Sequence, residues 1–238
     1  KIGLPKTCGA IDIPLGCTGF VYGLSLAKAL VESGQAKNVL LLTSDVPSKV
    51  IHPNDSELRC IFGDAGAATL ISSSQDHEMG IGNFVFGTDG KGAVNLIVRF
   101  SGSREPISQE WLEKHKDADG MKWGKMEMNG AEIFIFAIKV VPAMIKQVLE
   151  KNKMKQEMVD LFVFHQANGF LLETLRKKIK IPKEKFFVYL KNVGNTVSAT
   201  IPIALKEAIK EGKAKTGDKI LLAGFGIGYS WAGTIIQL

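Results

Sequence analysis

Apolar positions along the chain alternate between a helical spacing and short continuous runs, which predicts helices that alternate with buried strands. A helical pattern from about 17 to 33 ends at Gly34, a typical helix cap, and the apolar run at 39–43 follows it as a buried strand. Further strands are predicted at 10–13, 66–71, 159–164, 186–189, 220–223 and 234–237, and further helices at 131–151, 170–179 and 195–211. The charged stretch at 101–125 is predicted to be a long surface excursion. This alternation is typical of a layered α/β architecture.

Two segments of the chain look like copies of each other. The first runs from Cys17 through a predicted helix to Gly34 and then into an apolar strand, and the second runs from Asn195 through a helix to Gly212 and then into a strand. In both copies the first residue stands 17 positions before the glycine. An internal duplication predicts that the two helix N-termini occupy equivalent positions and face one cleft, with Cys17 and Asn195 as counterparts.

The composition is that of a globular protein, since 238 residues that are 45% hydrophobic suffice for a substantial core. The net charge of +6 is concentrated at 177–185 and 206–219, which fits either an acidic partner surface or solvated helix faces and does not indicate nucleic acid.

Cys8, Cys17 and Cys60 have neither paired nor zinc-ligand spacing, which predicts free thiols, no metal and a cytoplasmic location. Because no apolar run reaches the roughly 18 residues of a membrane span, no membrane association is expected.

Cys17 is the candidate nucleophile. A thiol reacts as its thiolate, so an acyl-accepting cysteine needs a pKa below the usual value of about 8.5. The first turn of the predicted helix supplies unpaired N–H groups and a partial positive charge, which are expected to lower this pKa. A lone cysteine on an apolar helix is more often inert packing, but the position of Cys17 in the Gly-Cys-Thr-Gly turn at 16–19 favours the nucleophile.

His165 and Asn195 are the other candidates for a catalytic role. His165 follows an apolar strand, and the carboxyl ends of strands in α/β proteins are where sites form. Asn195 begins a predicted helix, where its side chain either caps the helix or donates a hydrogen bond to an oxyanion. The glycine-rich segment 224–231 is not followed by a helix, which favours a tight loop that offers backbone N–H groups over a dinucleotide site.

Four motifs, in order along the chain, resemble the β-ketoacyl-acyl-carrier-protein synthase III family of the thiolase superfamily. They are residues 12–24 around Cys17, Ile-Phe-Gly-Asp-Ala-Gly-Ala-Ala at 61–68, Phe-His-Gln-Ala-Asn at 164–168 and Gly-Asn-Thr at 194–196. The resemblance implies a thiolase-like, duplicated αβαβα layered sandwich. We expect it to be truncated at the N-terminus, because the family has a further segment before the nucleophile strand and this chain begins without Met. The implied halves are 1–83, with the nucleophile, and 84–238, with His165 and Asn195.

The resemblance implies a decarboxylative Claisen condensation without a metal or other cofactor. Cys17 would take an acyl group from a coenzyme A or carrier thioester, and malonyl-acyl-carrier protein would lose CO2 and attack it to give a 3-oxoacyl product. His165 and Asn195 would stabilise the enolate, and the backbone N–H groups of Cys17 and Ile227 would hold the acyl oxyanion. The resemblance also implies a homodimer, substrate contacts at Phe62, Gly130, Phe134 and Asn168, and docking of an acidic acyl carrier protein at Arg176, Lys177 and Lys178.

Three positions depart from the family pattern. Ser56 stands where the family has an Arg that stacks on the adenine of coenzyme A, Phe170 replaces a carrier-docking Arg, and Ile227 replaces a Gly. The alternative that the same fold transfers the acyl group to an alcohol or amine stays open. A degradative thiolase is disfavoured because the 224–231 loop has no second cysteine. A papain-like protease has different motifs, and a non-catalytic carrier-binding subunit would not need an intact Cys-His-Asn triad.

Overall fold

The computed structural model describes residues 3–73, 80–103, 105–114 and 124–238. Its α-helices are α1 (Gly19–Glu32), α2 (Ser56–Arg59), α3 (Gln109–Lys114), α4 (Gly130–Lys151), α5 (Gly169–Ile179) and α6 (Thr200–Lys210). Its strands are β1 (Asn38–Asp45), β2 (Ala65–Ser72), β3 (Gly80–Ile81), β4 (Val85–Thr88), β5 (Leu96–Val98), β6 (Met126–Met128), β7 (Leu161–Phe164), β8 (Phe186–Phe187), β9 (Lys219–Gly226) and β10 (Ser230–Gln237). The strand predicted at 10–13 is wrong, because these residues form no strand. Of the excursion predicted at 101–125, residues 104 and 115–123 lie outside the described residues.

The strands form two main sheets. β1 and β2 pair antiparallel as a two-stranded ribbon, with Leu40 opposite Leu70. The larger sheet has the order β3-β10-β9-β7-β8, and β4 also pairs with β10. In this sheet β7 is parallel to β8 and β9, whereas β9 and β10 are antiparallel. β5 and β6 form a separate short ribbon.

Helices fill the space between the sheets and cover the far face of the larger one. Phe20 and Leu24 of α1 and Ile201 of α6 pack in one core with inward residues of the β1–β2 ribbon and the larger sheet. A second core joins α4 and α5 to the opposite face of the larger sheet through residues such as Met144 and Leu172. The predicted layered α/β architecture is confirmed, with two helices at its centre. None of the helices among the described residues combines the length and apolarity needed to cross a membrane.

The predicted duplication corresponds to a structural repeat. The order α1-β1-α2-β2 resembles α6-β9-β10, since each has a helix followed by two antiparallel strands, with α2 inserted between the strands of the first copy. Gly34 and Gly212 follow the two helices with φ of 73° and 69°, a left-handed conformation that glycine adopts without steric cost. The two copies differ at their start, because a 3-10 turn at Val197–Ala199 separates Asn195 from α6.

The β1–β2 ribbon is buried on one face only. Leu40, Leu42 and Leu70 point outward and are 42%, 57% and 66% exposed. The prediction of a buried strand at 39–43 is therefore right for the inward residues alone. The predicted boundary at 83/84 stays a prediction, and β3, which precedes it, already pairs with β10 of the larger sheet.

Candidate active site

Cys17 lies in the turn that leads into α1, and only 5% of the residue is exposed. Burial raises the pKa of its thiol to about 11; the backbone N–H of Ile227 and that of Cys17 itself oppose the rise, and the charge of Asp45 adds to it. The expectation of a lowered pKa is wrong, because desolvation of the thiolate outweighs the N–H groups at the helix start. In the free site the Cys17 side chain is therefore a neutral thiol.

The loop between β9 and β10 is fixed against Cys17. A Cβ on Gly226 would lie 2.8 Å from the Cys17 sulfur, so only glycine fits there. The Ser230 hydroxyl donates to the Ile227 carbonyl (3.0 Å) and lies 2.9 Å from the Thr18 hydroxyl. Because the Ser230 proton is already used, Thr18 is the donor in this second bond. Ser230 thus links the Ile227 carbonyl to Thr18, the residue that follows Cys17.

His165 directly follows β7 and is 2% exposed. Its backbone N–H donates to the Ala223 carbonyl (2.7 Å), and its Nδ1 lies 2.7 Å from the Thr200 hydroxyl oxygen. Burial lowers the pKa of the imidazole to about 3, a fall that the Val197 carbonyl partly opposes. The ring also packs edge-on against Phe225, with centroids 5.7 Å apart. Near neutral pH the site therefore holds an uncharged imidazole.

Asn195 is held by both its backbone and its side chain. Its N–H donates to the Ile61 carbonyl (2.8 Å), and its carbonyl accepts from the Gly63 N–H (3.0 Å). Its side-chain Oδ1 accepts from the Val197 N–H (2.9 Å), while its Nδ2 has no hydrogen-bond partner in the part of the chain that the structure describes. The two interpretations from sequence are thus compatible, because the oxygen caps the turn and the amide nitrogen remains available to a ligand.

Two glycines allow the 61–64 and 193–196 segments to meet. A Cβ on Gly63 would lie 2.1 Å from the Val193 carbonyl oxygen. Gly194 has a φ of 64°, and a Cβ there would lie 2.8 Å from the Ile61 carbonyl oxygen. The close approach places Phe62 beside Asn195, with which it forms a parallel β-bridge.

Asp45 and Ser198 were missed by the sequence analysis. Asp45 ends β1, and one of its carboxylate oxygens accepts from both the N–H (3.0 Å) and the hydroxyl of Ser198. Ser198 lies in the 3-10 turn between Asn195 and Thr200. The signal in the sequence was a titratable residue at the end of an apolar strand, the kind of position that also identified His165.

A cavity of about 70 Å³ lies beside Cys17. Its lining is apolar and consists of Cys17, Phe62, Leu96, Ile97, Val98, Met126, Val197 and Ile227. Of the four predicted substrate contacts, this cavity includes Phe62.

The other predicted substrate contacts lie elsewhere. Gly130 begins α4, Phe134 stacks on Phe170 (5.5 Å between centroids), and Asn168 caps α5 through the Leu171 N–H (2.8 Å). No group of three or more His, Cys, Asp or Glu within the described ranges is placed to hold a metal ion.

The basic end of α5 has one side chain that is bound within the fold and two that are exposed to solvent. The Arg176 guanidinium donates to Glu173 (2.7 and 2.8 Å) and to the Ile181 carbonyl (2.8 Å), and it lowers the pKa of Glu173 to about 2. Lys177 and Lys178 are exposed, although Lys177 approaches Glu173 at 3.5 Å. Of the three predicted docking residues, Arg176 is thus occupied within the fold, and the two lysines face solvent.

Comparisons with known proteins agree with these motifs. The family described as 3-oxoacyl-[acyl-carrier-protein] synthase III matches residues 11–90, and its C-terminal counterpart matches residues 149–238. The β-ketoacyl-[acyl-carrier-protein] synthase III of Clostridium perfringens is 38% identical over 238 residues, which are 100% of this chain and 70% of that protein. The chain thus spans about 70% of the length of this relative.

Solved structures superpose closely on the chain. A crystal structure of a 3-oxoacyl-(acyl-carrier-protein) synthase III gives a TM-score of 0.92 at 45% identity and covers 99% of this chain and 71% of that one. The priming β-ketosynthase from the R1128 polyketide biosynthetic pathway gives a TM-score of 0.85 at 28% identity and covers 98% of this chain and 66% of that one.

Proposed function

Because the chain belongs to the β-ketoacyl-acyl-carrier-protein synthase III family of acyltransferases, we propose that it condenses an acyl thioester with malonyl-acyl-carrier protein through an acyl-Cys17 intermediate. The observation that carries the proposal is the convergence of the family motifs. Cys17 and Phe62 line one apolar cavity, and Phe62 pairs with Asn195. No metal or other cofactor is needed for this chemistry, since the thioesters are themselves activated.

In the first half-reaction the Cys17 sulfur attacks the carbonyl carbon of the acyl thioester. A new C–S bond forms, the old one breaks, and the proton of the Cys17 thiol leaves with the departing thiol. The backbone N–H groups of Cys17 and Ile227 act on the Cys17 sulfur in the free site. We assign these two groups to the oxyanion that develops on the adjacent carbonyl oxygen.

In the second half-reaction the malonyl group loses CO2. The bond to the carboxylate breaks, and its electron pair becomes an enolate whose oxygen needs hydrogen-bond donors. We assign this role to Asn195 Nδ2, which has no other partner in the described structure, and to an N–H of the His165 ring. A neutral imidazole suits the role, because it donates a hydrogen bond without protonating the enolate.

Carbon–carbon bond formation completes the cycle. The enolate carbon attacks the carbonyl of acyl-Cys17, the C–S bond breaks, and the 3-oxoacyl product leaves on its carrier. The Cys17 sulfur departs as a thiolate and regains a proton. Burial favours that uptake, since it raises the pKa of the thiol to about 11.

The substrates and partners follow from the family and from the exposed charges. We propose a coenzyme A or carrier-protein thioester as acyl donor. The carrier-protein thioester is preferred, because Ser56 takes the place of the Arg that stacks on the adenine of coenzyme A in the family. An acidic acyl carrier protein would dock at Lys177 and Lys178, which face solvent. A homodimer is proposed from the family alone. A cytoplasmic location is proposed from the free state of all three cysteines.

The test separates the two half-reactions. The chain is incubated with an acyl thioester, and intact mass spectrometry with peptide mapping is expected to find the acyl group on Cys17. Addition of malonyl-acyl-carrier protein is then expected to release CO2 and form a 3-oxoacyl product, and the Cys17→Ala variant to form none. Transfer of the acyl group to an added alcohol or amine, without release of CO2, would contradict the condensation and support the alternative acyltransferase.

A further inference from the structure

The apolar cavity beside Cys17 is small for an acyl chain. Its volume is about 70 Å³. An apolar cavity of about 150 Å³ in another protein binds benzene, which corresponds to about 25 Å³ for each carbon atom. On that scale the cavity beside Cys17 has room for about three carbons. An acyl group whose carbonyl lies at the Cys17 sulfur would therefore have room for about three further carbons in its chain.

Stiff side chains form much of the lining of this cavity. Among the described residues that line it, those with a β-branched side chain are Ile97, Val98, Val197 and Ile227. Branching at Cβ restricts rotation about χ1, so these side chains do not turn aside easily for a longer chain. The backbone of Val197 is also fixed, because its N–H donates to Asn195 Oδ1 and its carbonyl accepts from the Thr200 hydroxyl, each across 2.9 Å.

Ile227 and Val197 meet over Gly16, the residue before Cys17. A Cβ on Gly16 would lie 2.9 Å from Cγ2 of Ile227 and 3.3 Å from Cγ1 of Val197. Gly16 is not among the described residues that line the cavity, whereas both of these side chains are. They therefore stand between the Gly16 backbone and the cavity. Ile227 is also the position where the family pattern has Gly, which would leave this space open.

We propose that the side chain of Ile227 limits the acyl group that Cys17 accepts, so that the donor substrates are thioesters of acyl groups of about two to four carbons. The inference rests on the proposed function, in which Cys17 is the acyl acceptor. Ile227 then has two roles, since its backbone N–H serves the acyl oxyanion and its side chain closes the cavity. A longer chain meets this side chain before its carbonyl reaches the sulfur.

Two kinds of substitution change the cavity in opposite directions. Ile227→Ala removes three carbons and should about double the space, and Ile227→Val removes one and should have a smaller effect in the same direction. Gly16→Ala should shrink the cavity, because its methyl group must push the Ile227 and Val197 side chains into it. Ile236→Ala is the matched control, since Ile236 is also half-buried, loses the same atoms and packs in a core away from the cavity.

The first readout measures the size limit without acyl transfer. Alkyl methanethiosulfonates place a thioalkyl group on a cysteine: the sulfur attacks the sulfenyl sulfur, a disulfide bond forms, methanesulfinate leaves and the thiol proton passes to solvent. Methyl, propyl and hexyl reagents are compared, and peptide mapping by mass spectrometry follows Cys17 against the exposed Cys8 and Cys60 as internal references.

The propyl reagent should modify Cys17 nearly as fast as the methyl reagent, and the hexyl reagent about tenfold more slowly or worse, the usual discrimination of an apolar pocket against surplus methylenes. Ile227→Ala should remove the hexyl defect, Gly16→Ala should extend it to propyl, and Ile236→Ala should follow the wild type. A hexyl reagent as fast as methyl at wild-type Cys17, or a hexyl defect unchanged in both Ile227 variants, would overturn the proposal.

The second readout is acylation of Cys17 by acetyl, butyryl and hexanoyl thioesters of N-acetylcysteamine. The wild type should accept acetyl and butyryl, with kcat/KM for hexanoyl about tenfold lower or worse, and Ile227→Ala should raise the ratio of hexanoyl to acetyl about tenfold. Hexanoyl accepted as readily as acetyl by the wild type would overturn the length limit and leave the condensation standing. A chain that none of the thioesters acylates, but that still excludes the hexyl reagent from Cys17, would contradict the proposed function and support the size limit of the cavity.

Discussion

The backbone N–H of Gly63 donates a hydrogen bond to the carbonyl oxygen of Asn195 across 3.0 Å. This bond, with the return bond from the Asn195 N–H to Ile61, joins two motifs that lie far apart in the chain. The pairing is close enough to exclude any side chain at Gly63, since a Cβ there would overlap the Val193 carbonyl. The position of the Asn195 amide therefore depends on a glycine that has no reactive group.

Substitution of Gly63 by Ala tests this dependence. The added methyl group must push the 193–196 segment away, and we expect the free energy of unfolding to fall by about 1–3 kcal/mol, as in other overpacked sites. Decarboxylation should fall further than acylation of Cys17, because Asn195 serves the former. Urea unfolding and the two half-reaction rates measure these effects. Gly90→Ala, where nothing lies within 4 Å of the new Cβ, is the control and should change neither.

The buried His165 predicts an acid dependence of stability. Its pKa is about 3 in the folded chain, against about 6.5 in the unfolded chain, so between these values only the unfolded chain binds the proton. Stability should therefore rise with pH across this window and be independent of His165 above it. At about pH 4.5, about two pKa units below the value in the unfolded chain, the stability lost is about 3 kcal/mol, at about 1.4 kcal/mol for each pKa unit.

Urea unfolding of wild type and His165→Asn at about pH 4.5 and about pH 7.5 measures this contribution. The variant should lose less stability on acidification than the wild type does. His52 is partly exposed and serves as the control, since His52→Asn should keep the wild-type dependence. An unchanged pH dependence in His165→Asn would show that the ring is already protonated in the folded chain.

Asp45 predicts a link between the 3-10 turn and the reactivity of Cys17. Its charge raises the pKa of the Cys17 thiol, so Asp45→Asn should lower that pKa and speed alkylation of Cys17 at alkaline pH. The same change weakens the bonds to Ser198 and should cost about 1–2 kcal/mol of stability. Mass spectrometry after timed reaction with iodoacetamide, at several pH values, follows each cysteine separately.

Asp64→Asn is a closely matched control for this experiment. Asp64 accepts from the N–H and the hydroxyl of Ser48, just as Asp45 does from Ser198, but its charge is not among the influences on Cys17. It should leave the alkylation profile of Cys17 unchanged. In every variant the exposed Cys8 and Cys60 should react before Cys17, and early labelling of Cys17 would contradict its raised pKa.

If Lys177 and Lys178 dock the acyl carrier protein, their charge reversal should weaken the reaction with the carrier substrate alone. Reversal of both charges, as Lys177→Glu with Lys178→Glu, should raise the KM for malonyl-acyl-carrier protein about tenfold or more, since rim charges act mainly on encounter. Acylation by a small-molecule thioester should not change. Lys213→Glu with Lys215→Glu makes the same change in net charge on exposed residues after α6 and should leave the KM within twofold. Equal effects of the two pairs would indicate that overall charge, and not a docking surface, attracts the carrier.

The motifs and the duplication could be predicted from sequence because they depend on local pattern. Spacing alone paired Cys17 with Asn195, although a 3-10 turn separates Asn195 from α6, and the apolar strand before His165 placed that residue at a strand end. The pKa of Cys17 could not be predicted in this way, because its direction depends on tertiary burial. Asp45 and Ser198 were missed because they matter only through the contact that folding makes between them. The strand predicted at 10–13 is wrong, because an apolar run forms a strand only where a neighbouring strand pairs with it, and none of the described strands does so.

The two sheets differ in the number of neighbours that protect each strand. β9 lies between β7 and β10 and all but its first residue are buried, whereas β1 and β2 each have one partner among the described strands and one face in solvent. Local opening is easiest where backbone hydrogen bonds are exposed and apolar contacts are few, so amide protons of the ribbon should exchange with solvent long before those of β9. Asp45 ends this ribbon, and the turn that follows Asn195 is thus anchored through Ser198 to a strand whose amide protons are expected to exchange early.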